Sequence, residues 1–387
     1  MNNNKRVFST LLSAVLISGG LASAPVSAKQ LRHATGYAPG SMAAESTNAY
    51  ANALEEISGG DVTAKVYALS LLNWSEMSDG IRDGLADSGT LLFPYFPAQY
   101  PLNSMLAELS MVVQLGGDIE SERMGLAYAG ALSEYLLLNC PECMSEFSEQ
   151  GQVFTGVGAT TPYYMLCNKP VVTLKDVEGM RLRAGGSQWA RWAEDLGASP
   201  VSLGQHEVYE AMSQGVLDCS MMSIPELTLI NLMEVTTDIT VNVPGGLFAG
   251  LAVNNINAGT WSDLDESQRK SVMEASALFA ADLSWQYMLS HNENLKTATN
   301  ETDIKIHKPG DDLVAATQDF IRRDAEAIAS AYEAKYGVQD AARVVEDFSE
   351  TLNRWLPLVK DIESSEELTK LFWDEVYSKV DVSNHGF

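Results

Sequence analysis

Along the first hundred residues, apolar residues recur with two different periods, one typical of strands and one typical of helices, and the two kinds of segment alternate. Residues 62–67 alternate with the two-residue period of a strand, whereas Tyr50, Leu54 and Ile57 recur with the period of a helix. Residues 88–93 are uncharged, as expected for a buried strand. The resulting order, β-α-β-α-β, predicts a parallel sheet with helices on its faces.

A second series of alternating strands and helices begins near residue 160, which indicates a second α/β unit. Glycines at 197 and 215 end its two predicted helices. The predicted strands are 153–157, 163–167, 179–183, 200–203 and 217–221, and the predicted helices are 187–196 and 207–214.

The last third of the chain is predicted to be helical. Val272, Phe279, Leu283 and Tyr287 form an apolar stripe on a helix that begins at 262 or 263 and ends at about 300. A helix of that length can cross both units. Further helices are predicted around 311–335, 341–360 and 366–379.

A chain of 387 residues is too long for one compact core, so two domains are expected. We assign residues 29–160 with about 248–287 to the first α/β domain. Residues 161–247 with about 288–387 form the second, which carries the C-terminal helices.

The amino terminus has the pattern of a secretory signal peptide. Lys5 and Arg6 precede an apolar stretch over 7–21, and small residues at 22–28 predict cleavage after Ala28. No later stretch approaches the roughly 18 apolar residues of a membrane span. A periplasmic location is therefore expected.

The chain is strongly acidic, with 25 basic and 51 acidic residues and a net charge of −26. A field of that sign repels nucleic acid and anionic lipid, so no nucleic-acid partner is expected.

Four cysteines in an exported chain allow two disulfides. Cys140 and Cys143 lie in a Cys-Pro-Glu-Cys segment after a helix-like stretch, which favours a local disulfide over a redox site. Cys167 and Cys219 are the other candidate pair, and the sequence alone proves neither.

Signatures of catalysis are missing from the sequence. It has no Gly-x-Ser-x-Gly elbow and no phosphate-binding loop. His206-Glu207 begins like a zinc-protease motif, but Glu210 stands where the second histidine would be. We expect no cofactor, no metal site and no enzymatic activity.

The densest set of motifs lies between Lys169 and Asp218. It contains Lys-Pro-Val at 169–171, Leu-Lys-Asp-Val-Glu-Gly-Met-Arg-Leu-Arg at 174–183 and Gly-Ala-Ser-Pro at 197–200. Glu-Val-Tyr-Glu-Ala-Met-Ser-Gln-Gly-Val-Leu-Asp follows at 207–218. With Ser-Gly-Gly-Asp-Val at 58–62 and Gly-Leu-Ala-Asp at 84–87, these motifs resemble those of DctP-type substrate-binding proteins of tripartite ATP-independent periplasmic (TRAP) transporters.

The resemblance implies a periplasmic-binding-protein fold, type II-like, with two α/β domains spanned by a long helix and extra C-terminal helices. It also implies a function. The protein would close over a small organic acid and deliver it to the membrane permease subunits of a TRAP transporter, acting as a monomer.

Arg183 is the residue that the resemblance assigns to the ligand carboxylate. A guanidinium offers a planar fork of donors that fits a carboxylate with two parallel hydrogen bonds. A structural salt bridge is the alternative. Arg181 is expected to be solvent-facing or structural.

The chain departs from sialic-acid binders of the family at three aligned positions. Tyr163 replaces a second arginine, Met222 replaces an asparagine, and Gln205 replaces a phenylalanine found in some members. We therefore expect a ligand with one carboxylate that is not a polyhydroxylated sugar acid.

Aromatic residues follow several predicted strands, at the end where ligands bind in such sheets. Ligand contact and ordinary packing are both open for each of them. These residues are Tyr37, Trp74, Phe93, Tyr95 and Phe248.

Other functions remain open from the sequence: a binding protein of an ATP-driven transporter, an exported enzyme on the same fold, or a sensory module. The ligand is also open among C4-dicarboxylates, 2-oxo or hydroxy acids, aromatic acids and sulfonates.

Overall fold

The computed structural model describes residues 28–115 and 119–387. The predicted signal peptide, except Ala28, lies outside these ranges. Its cleavage therefore stays a prediction.

Two sheets and fourteen α-helices make up the described chain. The strands are β1 (Lys29–Thr35), β2 (Val62–Ala68), β3 (Ser88–Leu92), β4 (Gln152–Val153), β5 (Val157–Gly158), β6 (Tyr163–Cys167), β7 (Arg181–Ala184), β8 (Ser199–Ser202), β9 (Cys219–Ser223), β10 (Asp238–Thr240), β11 (Leu251–Asn257) and β12 (Lys305–His307). The helices are α1 (Met42–Ile57), α2 (Met77–Arg82), α3 (Pro101–Glu108), α4 (Met124–Glu134), α5 (Pro141–Glu149), α6 (Leu174–Val177), α7 (Ser187–Asp195), α8 (Val208–Ser213), α9 (Glu226–Leu229), α10 (Ala258–Ser262), α11 (Glu266–Glu301), α12 (Asp311–Tyr336), α13 (Ala341–Leu358) and α14 (Ser365–Glu375).

The first sheet has the order β2-β1-β3-β11-β4, and β5 also pairs with β11. The second has the order β12-β10-β6-β9-β7-β8. The strands β1 to β3 are parallel to one another, as are β7 to β9, but β11 and β6 run antiparallel to their neighbours β3 and β9. The sheets are therefore mixed rather than wholly parallel, because the chain reaches β6 and β11 by crossing from the other sheet.

The two crossing segments are bonded to each other. The backbone N–H of Thr160 donates to the carbonyl of Phe248 at 3.0 Å, and the N–H of Phe248 donates to the Thr160 hydroxyl at 3.0 Å. These contacts tie the two connections together between the sheets.

The Gly-x-x-Asp motif has the same structural role in both sheets. Asp87 binds Arg32 on β1, accepting from its backbone N–H at 2.8 Å and from its Nε at 2.9 Å. Asp218 binds Arg181 on β7 in the same way, at 2.8 Å from the backbone N–H and 2.9 Å from Nη2. In both sheets the aspartate directly precedes a strand, so the motif fixes the start of that strand to the strand beside it.

Helix α11 begins after the short helix α10, at a capping box that the sequence prediction placed slightly too early. Asp265 accepts from the N–H of Gln268 at 2.9 Å, and Gln268 accepts in return at 3.0 Å. The helix packs on α1 along its first part, whereas Asn294 near its end donates to the Thr228 hydroxyl at 2.8 Å. The helix therefore spans both sheets, as predicted.

The C-terminal helices do not all belong with the second sheet, to which residues up to 387 were assigned. Helix α13 packs on α4, and α14 packs along α11. At the first contact Trp355 lies so close to Gly130 that a Cβ there would come within 2.3 Å of the indole. The amphipathic pattern predicts a buried face but does not say which element covers it.

The helices α3, α4 and α5 were not predicted from the sequence. Two disulfides are present, Cys140–Cys143 at the start of α5 and Cys167–Cys219 between β6 and β9. Within the described ranges, no helix is long and apolar enough to cross a membrane.

Candidate ligand-binding site

A cleft between the two sheets encloses about 340 Å³ of space, including the part that opens to solvent. The lining residues are Tyr37, Leu92, Tyr95, Thr160, Tyr163, Arg183, Gln205, Met222, Glu226, Phe248, Leu251 and Tyr287.

The topology explains why these residues meet. Tyr37, Tyr95, Gln205 and Glu226 follow the carboxyl ends of β1, β3, β8 and β9. The carboxyl ends of parallel strands face the crevice in open α/β sheets, which is where such folds bind ligands. Tyr287 comes from the spanning helix α11, so both sheets and this helix contribute to the cleft.

Arg183 is the only basic residue among those that line the cleft. Its side chain is only 2% exposed, and its Nε donates to the carbonyl of Leu203 at 3.1 Å. Within the described chain, Nη1 and Nη2 have no hydrogen-bond or ion-pair partner. Buried polar groups are nearly always satisfied, so a guanidinium with two free nitrogens beside a cavity indicates a binding site for an anion.

The glycine after β7 makes room for this side chain. A Cβ at Gly185 would lie 2.2 Å from Nη1 of Arg183. The guanidinium thus rests on bare backbone, which limits its movement.

Arg181 has a different environment, although it lies two positions from Arg183 and therefore on the same face of the strand. It stands at the start of β7, its side chain is 46% exposed, and it pairs with Asp218 at 2.9 Å. This arginine has the structural role that the sequence predicts.

Five of the twelve residues that line the cleft are aromatic. Tyr163 stacks on Trp189 with ring centroids 4.4 Å apart, and Tyr95 meets Phe248 edge to face at 6.1 Å. Burial raises the pKa of Tyr163 well above its usual value, so this phenol stays neutral. Its hydroxyl makes no hydrogen bond to any described residue and is available to a ligand.

Glu226 is the one acidic residue among those that line the cleft. It is 2% exposed and accepts a hydrogen bond from Nε2 of Gln205 at 2.7 Å. Burial raises the pKa of Glu226 to about 7, against the smaller opposing effects of Gln205 and Arg183.

Residues 141–331 match the model of a protein family, the bacterial extracellular solute-binding proteins of family 7, or DctP. This match contains the motifs of 169–218 and Arg183. This part of the chain belongs to the DctP family. DctP proteins bind solutes for transport and are not enzymes.

Known proteins agree with this assignment. A solute-binding protein of Albidiferax ferrireducens is 30% identical over 109 residues, a match that covers 28% of this chain and 32% of that protein. The chain thus spans about a third of the length of this curated relative.

Solved structures share the fold over nearly the whole described chain. A Bordetella pertussis extracytoplasmic solute receptor that binds pyroglutamic acid has a TM-score of 0.70 at 18% identity, covering 83% of this chain and all of that one. A marine metagenome TRAP protein specific for aromatic acids has a TM-score of 0.72 at 18% identity, covering 84% and 99%. At these identities the likeness concerns the fold, which is the two-domain α/β fold of TRAP periplasmic proteins.

Seven of the nine residues singled out in this DctP sequence line the cleft, and two do not. Trp74 lies behind the wall, edge to face with Tyr37 at 4.9 Å, where it covers Gly36. Phe93 points into the core against Phe147, because the tight turn after β3 directs it away from the cleft and Tyr95 toward it. Neither side chain lines the cleft, and contact of either with a ligand stays an untested prediction.

Five further residues line the cleft without having been predicted from the sequence: Leu92, Thr160, Glu226, Leu251 and Tyr287. Glu226 follows a strand end, the same signal that identified Tyr95. The apolar stripe of the long helix predicted that Tyr287 packs in the core, as its neighbours on the stripe do. Within the described ranges, no group of three or more metal-ligating side chains is present.

Proposed function

We propose that this chain is the periplasmic solute-binding protein of a TRAP transporter and that its cleft captures a small organic acid. The single observation that supports this best is Arg183, buried in the cleft with two donor nitrogens unused. A carboxylate would satisfy both nitrogens at once.

The likeness to proteins that bind pyroglutamic acid and aromatic acids supports the same ligand class. One arginine provides for one carboxylate. Tyr163 and Met222 then offer aromatic and soft apolar surface, which suits a compact acid rather than a sugar acid.

In the proposed mechanism, the two sheets close on the ligand from opposite sides. The ligand binds at strand ends of both, and the bonded crossing segments at Thr160 and Phe248 together with helix α11 form the connection about which the cleft opens. Ligand contacts from both sides favour the closed form. The closed protein, acting as a monomer, would then bind the membrane permease subunits and deliver the acid to them.

For the domains, we propose residues 29–160 with about 248–287 as the first and 161–247 with the following segment as the second. The packing of α13 and α14 on α4 and α11 supports moving these two helices to the first domain.

A thermal-shift screen of the protein without residues 1–28 tests this function. The screen covers dicarboxylates, hydroxy and oxo acids, aromatic acids and sulfonates. At least one carboxylic acid should raise the melting temperature of the wild type and of Arg181→Ala, which removes a paired arginine from the same strand. Arg183→Ala should lose the response. Equal responses of the wild type and Arg183→Ala, or no response of the wild type to any acid, would contradict the proposal.

A further inference from the structure

One basic and one acidic side chain line the cleft without forming an ion pair. Arg183 and Glu226 are both buried, yet no nitrogen of Arg183 lies within 4.0 Å of the Glu226 carboxylate. Arg183 is fixed by the carbonyl of Leu203, and Glu226 is fixed by Gln205. The structure therefore holds the two groups at separate places in one cavity.

The carboxylate of Glu226 has only neutral partners in the described chain. Gln205 donates at 2.7 Å, and the Ser223 hydroxyl lies at 3.5 Å, which is a weak contact. A buried carboxylate without a cation is costly, and the protein retains this cost beside a ligand cleft.

The position of Glu226 is set from outside the cleft. It starts helix α9, and Asn294 of α11 donates to the carbonyls of Ile224 and Pro225 at 3.4 and 3.3 Å and to the Thr228 hydroxyl at 2.8 Å. The carboxylate is thus a fixed feature of the wall.

The aromatic walls are compatible with a positive charge between the two groups. The hydroxyls of Tyr37 and Tyr287 lie 3.3 Å apart, and burial keeps the pKa of both phenols above the usual value. Neutral aromatic rings attract cations through their faces.

We infer that the cleft selects acids that also carry a cationic or N–H-donating nitrogen, with the carboxylate at Arg183 and the nitrogen at Glu226. This inference rests on the proposed function and narrows its ligand class to amino-acid-like zwitterions and cyclic acids with a ring N–H. A ligand of this kind satisfies the free nitrogens of Arg183 and offsets the buried carboxylate in one step. A carboxylic acid without such a nitrogen would satisfy Arg183 but leave the Glu226 carboxylate without a cationic or N–H partner.

Calorimetric titration with matched acids tests the inference. Phenylglycine is compared with phenylacetate, and proline with cyclopentanecarboxylate, because each pair differs chiefly in one nitrogen. The proteins are the wild type, Glu226→Gln, Arg183→Ala and the control Glu234→Gln, which changes an exposed glutamate of the same region. For each pair that binds, the nitrogen-bearing member should bind the wild type and the control at least about tenfold more tightly. Glu226→Gln should lose most of this preference.

The outcomes separate the two proposals. If the wild type binds acids through Arg183 but shows no preference for nitrogen, or if Glu226→Gln keeps the preference, the inference is wrong and the proposed function stands. If Arg183→Ala binds the acids as well as the wild type does, the proposed function is wrong in its central residue. If none of the four acids binds the wild type, the inference is wrong, and the wider screen above decides the proposed function.

Discussion

Arg183 on β7 and Glu226 at the start of α9, which follows the neighbouring strand β9, line one cleft and form no ion pair with each other. Each is held by neutral groups instead: a backbone carbonyl for the guanidinium, and the Gln205 amide for the carboxylate. This separation gives the cleft a positive and a negative end, and it has consequences for stability as well as for binding.

The first prediction concerns pH and Glu226. Its pKa is about 7 in the folded protein against 4.5 ordinarily, so between these values the folded protein binds more protons than the unfolded chain. Stability from this group is therefore full at low pH and is lost as the pH rises toward 7. Glu226→Gln removes the dependence, and the ligand-free variant should be more stable than the wild type at about pH 8 by up to about 3 kcal/mol.

Urea unfolding at about pH 8 and about pH 4 measures this difference. The facing phenols of Tyr37, Tyr163 and Tyr287 stay neutral because burial raises their pKa values. His206, on the turn that carries Gln205, is exposed and present in both proteins. The same difference in stability at both pH values would show that Glu226 does not have a raised pKa.

A second prediction concerns the glycine under the arginine. Gly185→Ala places a methyl group where Nη1 of Arg183 now lies, 2.2 Å from the new Cβ. The flexible end of the arginine must move, so acid binding should weaken at least about tenfold while the free energy of unfolding changes by less than about 1 kcal/mol. Titration and urea unfolding of the same variant check both parts. Unchanged affinity would mean that the position of the guanidinium does not matter for binding.

A third prediction compares the two disulfides. Cys167–Cys219 closes a loop with a sequence separation of 52, whereas Cys140–Cys143 has a separation of 3. Loop-closure entropy predicts a loss of about 2–4 kcal/mol for the double alanine variant of the first pair and less for that of the second. Both pairs are buried, so each is the other's control for lost packing. An equal loss in urea unfolding would indicate that packing, not loop closure, dominates.

Much of this fold and part of the site follow from the sequence, for a physical reason. Turn glycines and period-2 runs mark strand ends, and strand ends of parallel sheets meet, so Tyr37 and Tyr95 could be brought together without coordinates. Arg183 and Gln205 were indicated by the resemblance to the DctP motifs instead.

The remaining features depend on contacts between distant segments. Nothing local distinguishes Glu226 from 50 other acidic residues, because its burial depends on Asn294 and Gln205. Tyr287 has the same helical spacing as the core residues beside it. The direction of Phe93 depends on a tight turn, and the packing of α13 depends on α4. The apolar periodicity of a helix identifies its buried face but not the element that packs against that face.

The most direct test of the central claim, that Arg183 binds the ligand's carboxylate, is a cycle that changes both groups. The acid with the strongest response in the screen and its primary amide are titrated calorimetrically into the wild type, Arg183→Ala and Arg181→Ala. Amidation should weaken binding at least about thirtyfold, about 2 kcal/mol, in the wild type and in Arg181→Ala, and should have little effect in Arg183→Ala. The same acid-to-amide ratio in the wild type and Arg183→Ala would contradict the claim.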